Sequence, residues 1–426
     1  MTIAEIHQIF LQCSGVSTDT RKLSKNTLFF CLKGENFNGN KFAKNAFEKG
    51  AAYVVYDDIE YNPAHQNAIL VKDSLETLQA LARYHRNQFD IPVIGLTGSN
   101  GKTTTKELIK CVLAQNFEVL ATQGNLNNHI GVPLSLLNIK ESTEIALIEM
   151  GANHLKEIAF LANIAAPTMG YITNFGKAHL EGFGSLEGVV KGKSELYDYL
   201  KDHKGITIVN GNDKKQMQQS EGLNRYIFGQ TKLAQNQLSN KINKDGFCTV
   251  EVGEITITSQ LTGAYNFDNL NAAVTFGEFF EIPLSNIKKG IASYSPTNNR
   301  SQWIKTKRNR VLLDAYNANP TSMKAAIKSF VDVKANAKLV ILGDMLELGQ
   351  YAQKEHQAII DQLKRGGIDK AILVGPLFCA SHTEGFSTFE TTAEAKNHLA
   401  DQLIQDHTIL IKGSRGIALE QLLDQL

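Results

Sequence analysis

The stretch Thr97-Gly98-Ser99-Asn100-Gly101-Lys102-Thr103-Thr104 gathers residue types suited to holding a polyphosphate. Glycines let backbone N–H groups curl around phosphate oxygens, Lys102 can reach the β- and γ-phosphates, and the Thr103 hydroxyl can bind Mg²⁺. The apolar run 92–97 before the loop reads as a strand, while Leu108, Ile109, Val112 and Leu113 after it give a helix one buried face. The loop therefore opens a helix, whose dipole adds favourable potential for an anion. The strict GxxxxGK[ST] spacing fails because position 96 is Leu. Gly-Lys-Thr-Thr between a strand and a helix nevertheless points to nucleotide binding by Gly98, Ser99, Asn100, Gly101, Lys102, Thr103 and Thr104, rather than to a bare tight turn.

Glu149 ends the apolar run 145–148, which puts its carboxylate at the carboxyl edge of a strand, where ligands bind in open α/β sheets. Taken alone, it could equally cap the following turn. His179 lies just beyond the next strand, and a lone loop histidine is ordinarily a surface residue. Together with Thr103 the pair suits ATP transfer, which needs Mg²⁺ held by a hydroxyl, a carboxylate and phosphate oxygens. Lys193, in KGKSELYDYL, sits on a helix and by itself reads as a solvated lysine.

The elements that must position these groups fall into three series. Short apolar runs at 28–32 and 52–56, followed by helical spacing through 73–90, describe a small α/β unit. Runs at 92–97, 145–148, 169–173 and 206–209 alternate with helical segments such as 102–115 and 186–200, which implies a largely parallel, helix-covered sheet of the P-loop ATPase type. Runs at 311–313, 339–342, 371–374 and 409–411 repeat the alternation after the Pro296-containing stretch. The expected fold class is α/β with three domains: 1–82, 83–296 and 297–426. A chain of 426 residues supports that number.

Composition narrows the partners. Lys and Arg number 44 against 43 Asp and Glu, so no broad basic field exists to grip nucleic acid or anionic lipid. The five cysteines are scattered, with no CxxC spacing, which fits a reducing compartment. Residues 1–10 lack a basic leader and read as an amphipathic helix, and no apolar run approaches membrane-spanning length. A cytoplasmic, monomeric protein without nucleic-acid or membrane partners is expected.

Beyond these readings, TGSNGKTTTKE, GNLNNHIGVPLSLL, EMGANHLKEI, TNFGKAHLEGFGSLEGVVKGKSEL, DAYNANPTSM, LGDMLELG and KGSRG stand in order across nearly the whole chain and together resemble the Mur ligase family of peptidoglycan synthesis. DAYNANP and LGDMLELG resemble its D-alanyl-D-alanine-adding branch in particular. The resemblance implies a uridine-nucleotide-binding N-terminal domain, a central ATPase domain and a Rossmann-like C-terminal domain. It implies ATP and Mg²⁺ as cofactors, and UDP-N-acetylmuramoyl-tripeptide and D-alanyl-D-alanine as substrates. Ser17, Asp19 and Arg21 resemble the family's uridine-site signature; without the family they form a polar turn. Lys193 aligns with the lysine that the family carries as a carbamate and that serves, with Thr103, Glu149 and His179, in the metal set. Tyr265 stands where the family usually has His. Asn266 and Asn269 match the family's amides, which can read an adenine edge or support phosphate contacts, although an N-rich helix start explains them as well.

Arg300 takes the place of the family arginine, with Asn299 replacing its glycine, and would reach the γ-phosphate when its domain closes. Asp314, Tyr316 and Asn317 follow a strand on the edge where the family contacts ATP. Lys412, Ser414 and Arg415 are either a further binding edge or a basic strand-to-helix turn. Lys102, His179, Lys193 and Arg300 are then the expected catalytic set. The implied reaction activates a carboxylate as an acyl phosphate before an amine attacks it. Three other activities remain as rivals: addition of the third amino acid, whose usual DNPR motif is absent; folylpolyglutamate synthesis; and a P-loop protein that hydrolyses ATP without making an amide.

Overall fold

The computed structural model describes residues 1–244, 246–383 and 385–426. It is an α/β structure of three mainly parallel, helix-covered sheets in chain order. The first pairs Val16–Ser17, Thr27–Phe30, Ala51–Tyr56 and Ala68–Leu70, all parallel. Thr27–Phe30 is buried throughout, as an apolar strand covered on both faces must be. Helix Ser74–Arg86 starts at Asp73, whose carboxylate accepts the Glu76 N–H at 2.8 Å. Residue 83, where the sequence suggests a change of domain, falls inside this helix.

The central sheet runs Asn224–Phe228, Ile206–Asn210, Met169–Ile172, Val93–Thr97, Ile145–Glu149, Val119–Ala121, again all parallel. Val93–Thr97 is the first of these in the chain yet lies in the middle, with later strands added on both sides. The connections leaving its neighbours diverge there, which opens a crevice at the carboxyl ends. Helix Lys102–Leu113 packs one face of this sheet through Leu108, Ile109, Val112 and Leu113, all 0% exposed. A three-stranded antiparallel sheet, Ser239–Ile242, Phe247–Val252 and Ile255–Thr262, joins the same core through Cys248, Val250, Ile257 and Leu261. No sequence reading anticipated it.

In the C-terminal sheet the order is Gln302–Lys305, Arg310–Asp314, Thr408–Lys412, Lys338–Gly343, Ala371–Val374, Ser387–Phe389; the first pairing is antiparallel and the rest parallel. Thr408–Lys412, the last strand in the chain, inserts between Arg310–Asp314 and Lys338–Gly343. A second crevice therefore opens at Asp314 and Lys412. One buried apolar cluster continues from Ile6 and Phe10 through Ile148 and Leu196 to Phe330 and Leu342, so the three units pack against one another. Among the described residues no helix is long and apolar enough to cross a membrane.

Candidate active site

The central and C-terminal crevices face each other across a cavity of about 720 Å³. Ser99 to Thr104, Glu149, His179, Asn266 and Asn269 line one side; Arg300, Asp314, Tyr316, Asn317 and Lys412 line the other. Gly98, Lys193, Ser17, Asp19 and Arg21 are not among the lining residues.

The loop depends on its glycines. Gly98 has φ +141° and a Cβ there would stand 2.0 Å from Thr173 Oγ1; Gly101 has φ +80° and a Cβ there would stand 2.3 Å from Asn269 Oδ1. The segment after Met169–Ile172 buttresses the loop. Ser99 Oγ donates to Gly176 O at 2.9 Å, Asn100 N to Asn174 Oδ1 at 3.1 Å, Asn174 Nδ2 to Asn100 O at 3.0 Å, and Thr173 Oγ1 to Asn100 O at 2.6 Å. Sequence reasoning missed Thr173 and Asn174 as functional residues, although their place immediately after a central strand was a signal.

Lys102 folds back over the loop and donates from Nζ to Gly98 O at 2.7 Å. Burial pushes its pKa below the ordinary lysine value; Glu149 opposes that shift and Arg300 adds to it. A bound triphosphate would supply the negative charge this cluster of cations lacks. Glu149 is 1% exposed. Its Oε2 accepts from Thr103 Oγ1 at 3.1 Å and its Oε1 from Asn127 Nδ2 at 2.8 Å. Asn127 orients this carboxylate and was also missed; it lies in the asparagine-rich GNLNNH run.

The donors fit a hard divalent cation in part. Thr103 and Glu149 present oxygen atoms side by side, whereas no cluster of three or more His, Cys, Asp or Glu converges among the described residues. Phosphate oxygens would have to complete the shell. His179, held at φ +52°, has its Nδ1 2.5 Å from Glu347 Oε2 of the C-terminal unit. That contact holds Glu347 below the usual carboxylate pKa range. Lys193 is 0% exposed; its Nζ donates to Ala152 O at 3.0 Å and lies 5.1 Å from the Phe183 ring centroid. Burial, reinforced by the charge of Lys102, drives its pKa well below the lysine norm and favours the neutral amine. The solvated lysine read from sequence alone is therefore corrected to a buried one.

Asn266 and Asn269 are tied into a buried amide chain. Thr105 Oγ1 donates to Asn269 Oδ1 at 2.9 Å, Asn269 Nδ2 to Asn266 Oδ1 at 2.8 Å, and Asn266 Nδ2 to Thr262 O at 2.9 Å. They brace the loop helix against helix Phe267–Phe279. Tyr265 bridges the units through a hydroxyl contact of 3.0 Å with Ser301 Oγ. Across the cavity the Arg300 guanidinium stacks on Tyr316 at 3.6 Å, and Arg415 lies over the same ring at 5.4 Å. Arg300 Nε is buried without a hydrogen-bond partner among the described residues. Lys412 Nζ pairs with Asp314 Oδ2 at 2.6 Å, while Asp314 Oδ1 accepts the Ser301 N–H at 3.1 Å. Asn317 O lies 3.3 Å from the same Lys412 Nζ. Ser414 is an internal brace, donating from Oγ to Ala318 O at 3.4 Å and accepting the Leu346 N–H at 3.0 Å.

On the N-terminal unit, Ser17, Asp19 and Arg21 form a compact turn. Arg21 Nη2 is 2.8 Å from Asp19 Oδ2, and the Arg21 side chain is 85% exposed. The Arg21 hydrogen bonds bring the Asp19 pKa down to about 2.

A glycine-built phosphate loop and an acid–hydroxyl pair, facing cations on a second α/β unit, define a nucleotide-dependent enzyme closed by two domains. Family comparison agrees: residues 96–277 match the Mur ligase middle domain, 299–415 the Mur ligase glutamate ligase domain, and 12–86 the Mur ligase family catalytic domain. The chain belongs to the Mur ligase family. It is 37% identical over 427 residues to the UDP-N-acetylmuramoyl-tripeptide–D-alanyl-D-alanine ligase of Bacillus subtilis (strain 168), covering 97% of this chain and 93% of that protein. MurF from Acinetobacter baumannii matches with a TM-score of 0.88 and 28% identity, covering 100% of this chain and 98% of its own. The MurF ligase of Thermotoga maritima, solved in complex with ADP, matches with a TM-score of 0.85 and 25% identity, covering 98% and 97%.

Proposed function

We propose that this Mur ligase uses ATP to join D-alanyl-D-alanine to UDP-N-acetylmuramoyl-tripeptide in peptidoglycan precursor synthesis. The observation that carries this reading is the phosphate loop, with Thr103 beside Glu149, facing Arg300 across one interdomain cavity. The tripeptide's terminal carboxylate attacks the γ-phosphorus in line, the bond to the β–γ bridging oxygen breaks, and ADP leaves. The amine of D-alanyl-D-alanine then attacks the acyl carbon, loses a proton and expels phosphate. Lys102 and Arg300 hold charge on the transferring phosphoryl group, with His179 beside the acyl centre. The packed units exclude water that would hydrolyse the acyl phosphate.

Mg²⁺, when bound, neutralises β- and γ-phosphoryl charge. We assign Thr103 and Glu149 to hold it, with His179 and a carbamate on Lys193 completing the set. Support for the carbamate comes from burial of the Lys193 amine, since carbon dioxide adds to the neutral form. Residues 1–82, with Ser17, Asp19 and Arg21, are assigned to the uridine nucleotide, 83–296 to ATP and 297–426 to closure, with Asp314, Tyr316 and Asn317 on the nucleotide. Five free cysteines suit a reducing compartment, and we assign the protein to the cytoplasm.

The test measures phosphate and amide product with ATP, UDP-N-acetylmuramoyl-tripeptide and either D-alanyl-D-alanine, L-alanyl-L-alanine, lysine or diaminopimelate. Amide formation with the D,D-dipeptide is the expected result. Preference for a free diamino acid would reassign the chain to the preceding ligation step, and amine-independent phosphate release would make it a simple ATPase.

A further inference from the structure

The segment 174–178 has two sides. One holds the phosphate loop, through Asn174 and Gly176. The other holds the C-terminal unit: Lys177 N donates to Thr321 Oγ1 at 2.9 Å, and Lys177 Nζ lies 2.5 Å from Glu355 Oε1. Gly176 is pinched between them, since a Cβ there would stand 2.7 Å from Asn100 Nδ2 and 3.2 Å from Thr321. Asn319 Nδ2 adds a direct bond to Asn100 Oδ1, at 2.7 Å, from the cap of helix Pro320–Val331.

Glu355 is the unusual member. It sits in the first turn of helix Ala352–Arg365 with its side chain 4% exposed, and its second oxygen meets Lys324 Nζ at 2.9 Å. Lys324 belongs to its own unit; Lys177 belongs to the central one. A carboxylate withdrawn from water to this degree needs its partners, and one of the two arrives only when the units are together. Neither Glu355 nor Lys177 lines the cavity, so neither touches the reacting groups.

We propose that Glu355 is a positioning residue that, through Lys177, clasps the C-terminal unit onto the segment buttressing the phosphate loop, so that closure and loop geometry are set together. The activity readout of this inference rests on the ligase reading, and the scattering readout on ATP binding alone.

The test compares Lys177→Met, Glu355→Gln, the double variant and Lys324→Met, with thermal unfolding as the check on folding. Closure is read as the radius of gyration by X-ray scattering with Mg²⁺ and a non-hydrolysable ATP analogue. Expected are a larger radius and a kcat lowered about tenfold in each of the first two variants, the KM for ATP changing less than about twofold. The double variant should be no worse than the poorer single one, and Lys324→Met should lose less than about threefold. Wild-type radius and kcat in Lys177→Met, or losses that multiply in the double variant, would overturn the clasp. Should Glu355→Gln fail to fold, Lys177→Met decides alone, because its partly exposed side chain can change while its backbone bond to Thr321 stays. Failure of wild type to form amide would strike the ligase reading and leave the scattering result to judge the clasp.

Discussion

At Lys102 the ammonium donates to Gly98 O, within its own loop, so the proposed electrostatic role on a phosphate needs no new backbone contact. Lys102→Ala should therefore stay folded and lose roughly 10²- to 10³-fold in kcat, the range seen when one charge-stabilising donor is removed. Substantial turnover in a folded variant would exclude that role. Lys193 poses a different problem, because a buried amine is a poor metal ligand until carbon dioxide converts it to a carbamate. Lys193→Ala should lose activity, and acetate or formate should restore part of it by filling the vacated space with a carboxylate. Mass spectrometry of active enzyme kept in bicarbonate, showing only an unmodified amine, would sink the carbamate.

At the scale of elements, the strand–loop–helix unit from Val93 to Leu113 works because Gly98 and Gly101 adopt positive φ against Thr173 and Asn269. Gly98→Ala and Gly101→Ala should each cost about 1–3 kcal/mol of stability through backbone strain and overlap. Both should also weaken ATP binding. Calorimetric unfolding with and without ATP measures both effects, and a Gly98→Ala protein with unchanged Tm would contradict the close approach. The motif LGDMLELG divides its work in the same local way. Asp344 accepts the Leu377 and Phe378 N–H groups at the start of helix Pro376–Cys379, a structural cap, while Glu347 reaches His179 across the interface.

For the whole molecule, the central and C-terminal units share the cavity, and Arg300 reaches it from the joint between them. Arg300→Ala should lower kcat about 10³-fold or more while leaving the thermal transition near that of wild type, as removal of an arginine supplied by one domain to another's phosphate predicts. Acid should open the clasp. Burial raises the Glu355 pKa, but the hydrogen bonds and positive charges of Lys177 and Lys324 together outweigh it and leave the value lowered. A lowered folded-state pKa means the stabilisation is complete above the unfolded glutamate value of about 4.3 and is lost as pH falls through the folded value. The nucleotide-bound radius of gyration should thus be constant from about pH 6 to 8 and increase below about pH 4 in wild type, with a smaller increase in Glu355→Gln. Equal acid responses in the two proteins would remove Glu355 from that account.

The sequence alone determined the alternating strands and helices, the phosphate loop and the strand-end placement of Glu149 and Asp314, because each is encoded by local periodicity and by residue type at an element boundary. The three-stranded sheet at 239–262 escaped notice because its buried positions, Cys248, Val250 and Ile257, are spread through polar hairpins whose partner face belongs to distant helices. By residue type and helical spacing Lys193 reads as a surface lysine, and only the family resemblance marked it; its burial, with Phe183 and Ala152 against the amine, exists only in the folded chain. The 2.7 Å contact between Asn100 and Asn319, like the pairing of Lys177 with Glu355, joins residues far apart in the chain, and only tertiary packing decided them. Such contacts carry no periodic signature: desolvation and distance, which create them, exist only after the two α/β units have met.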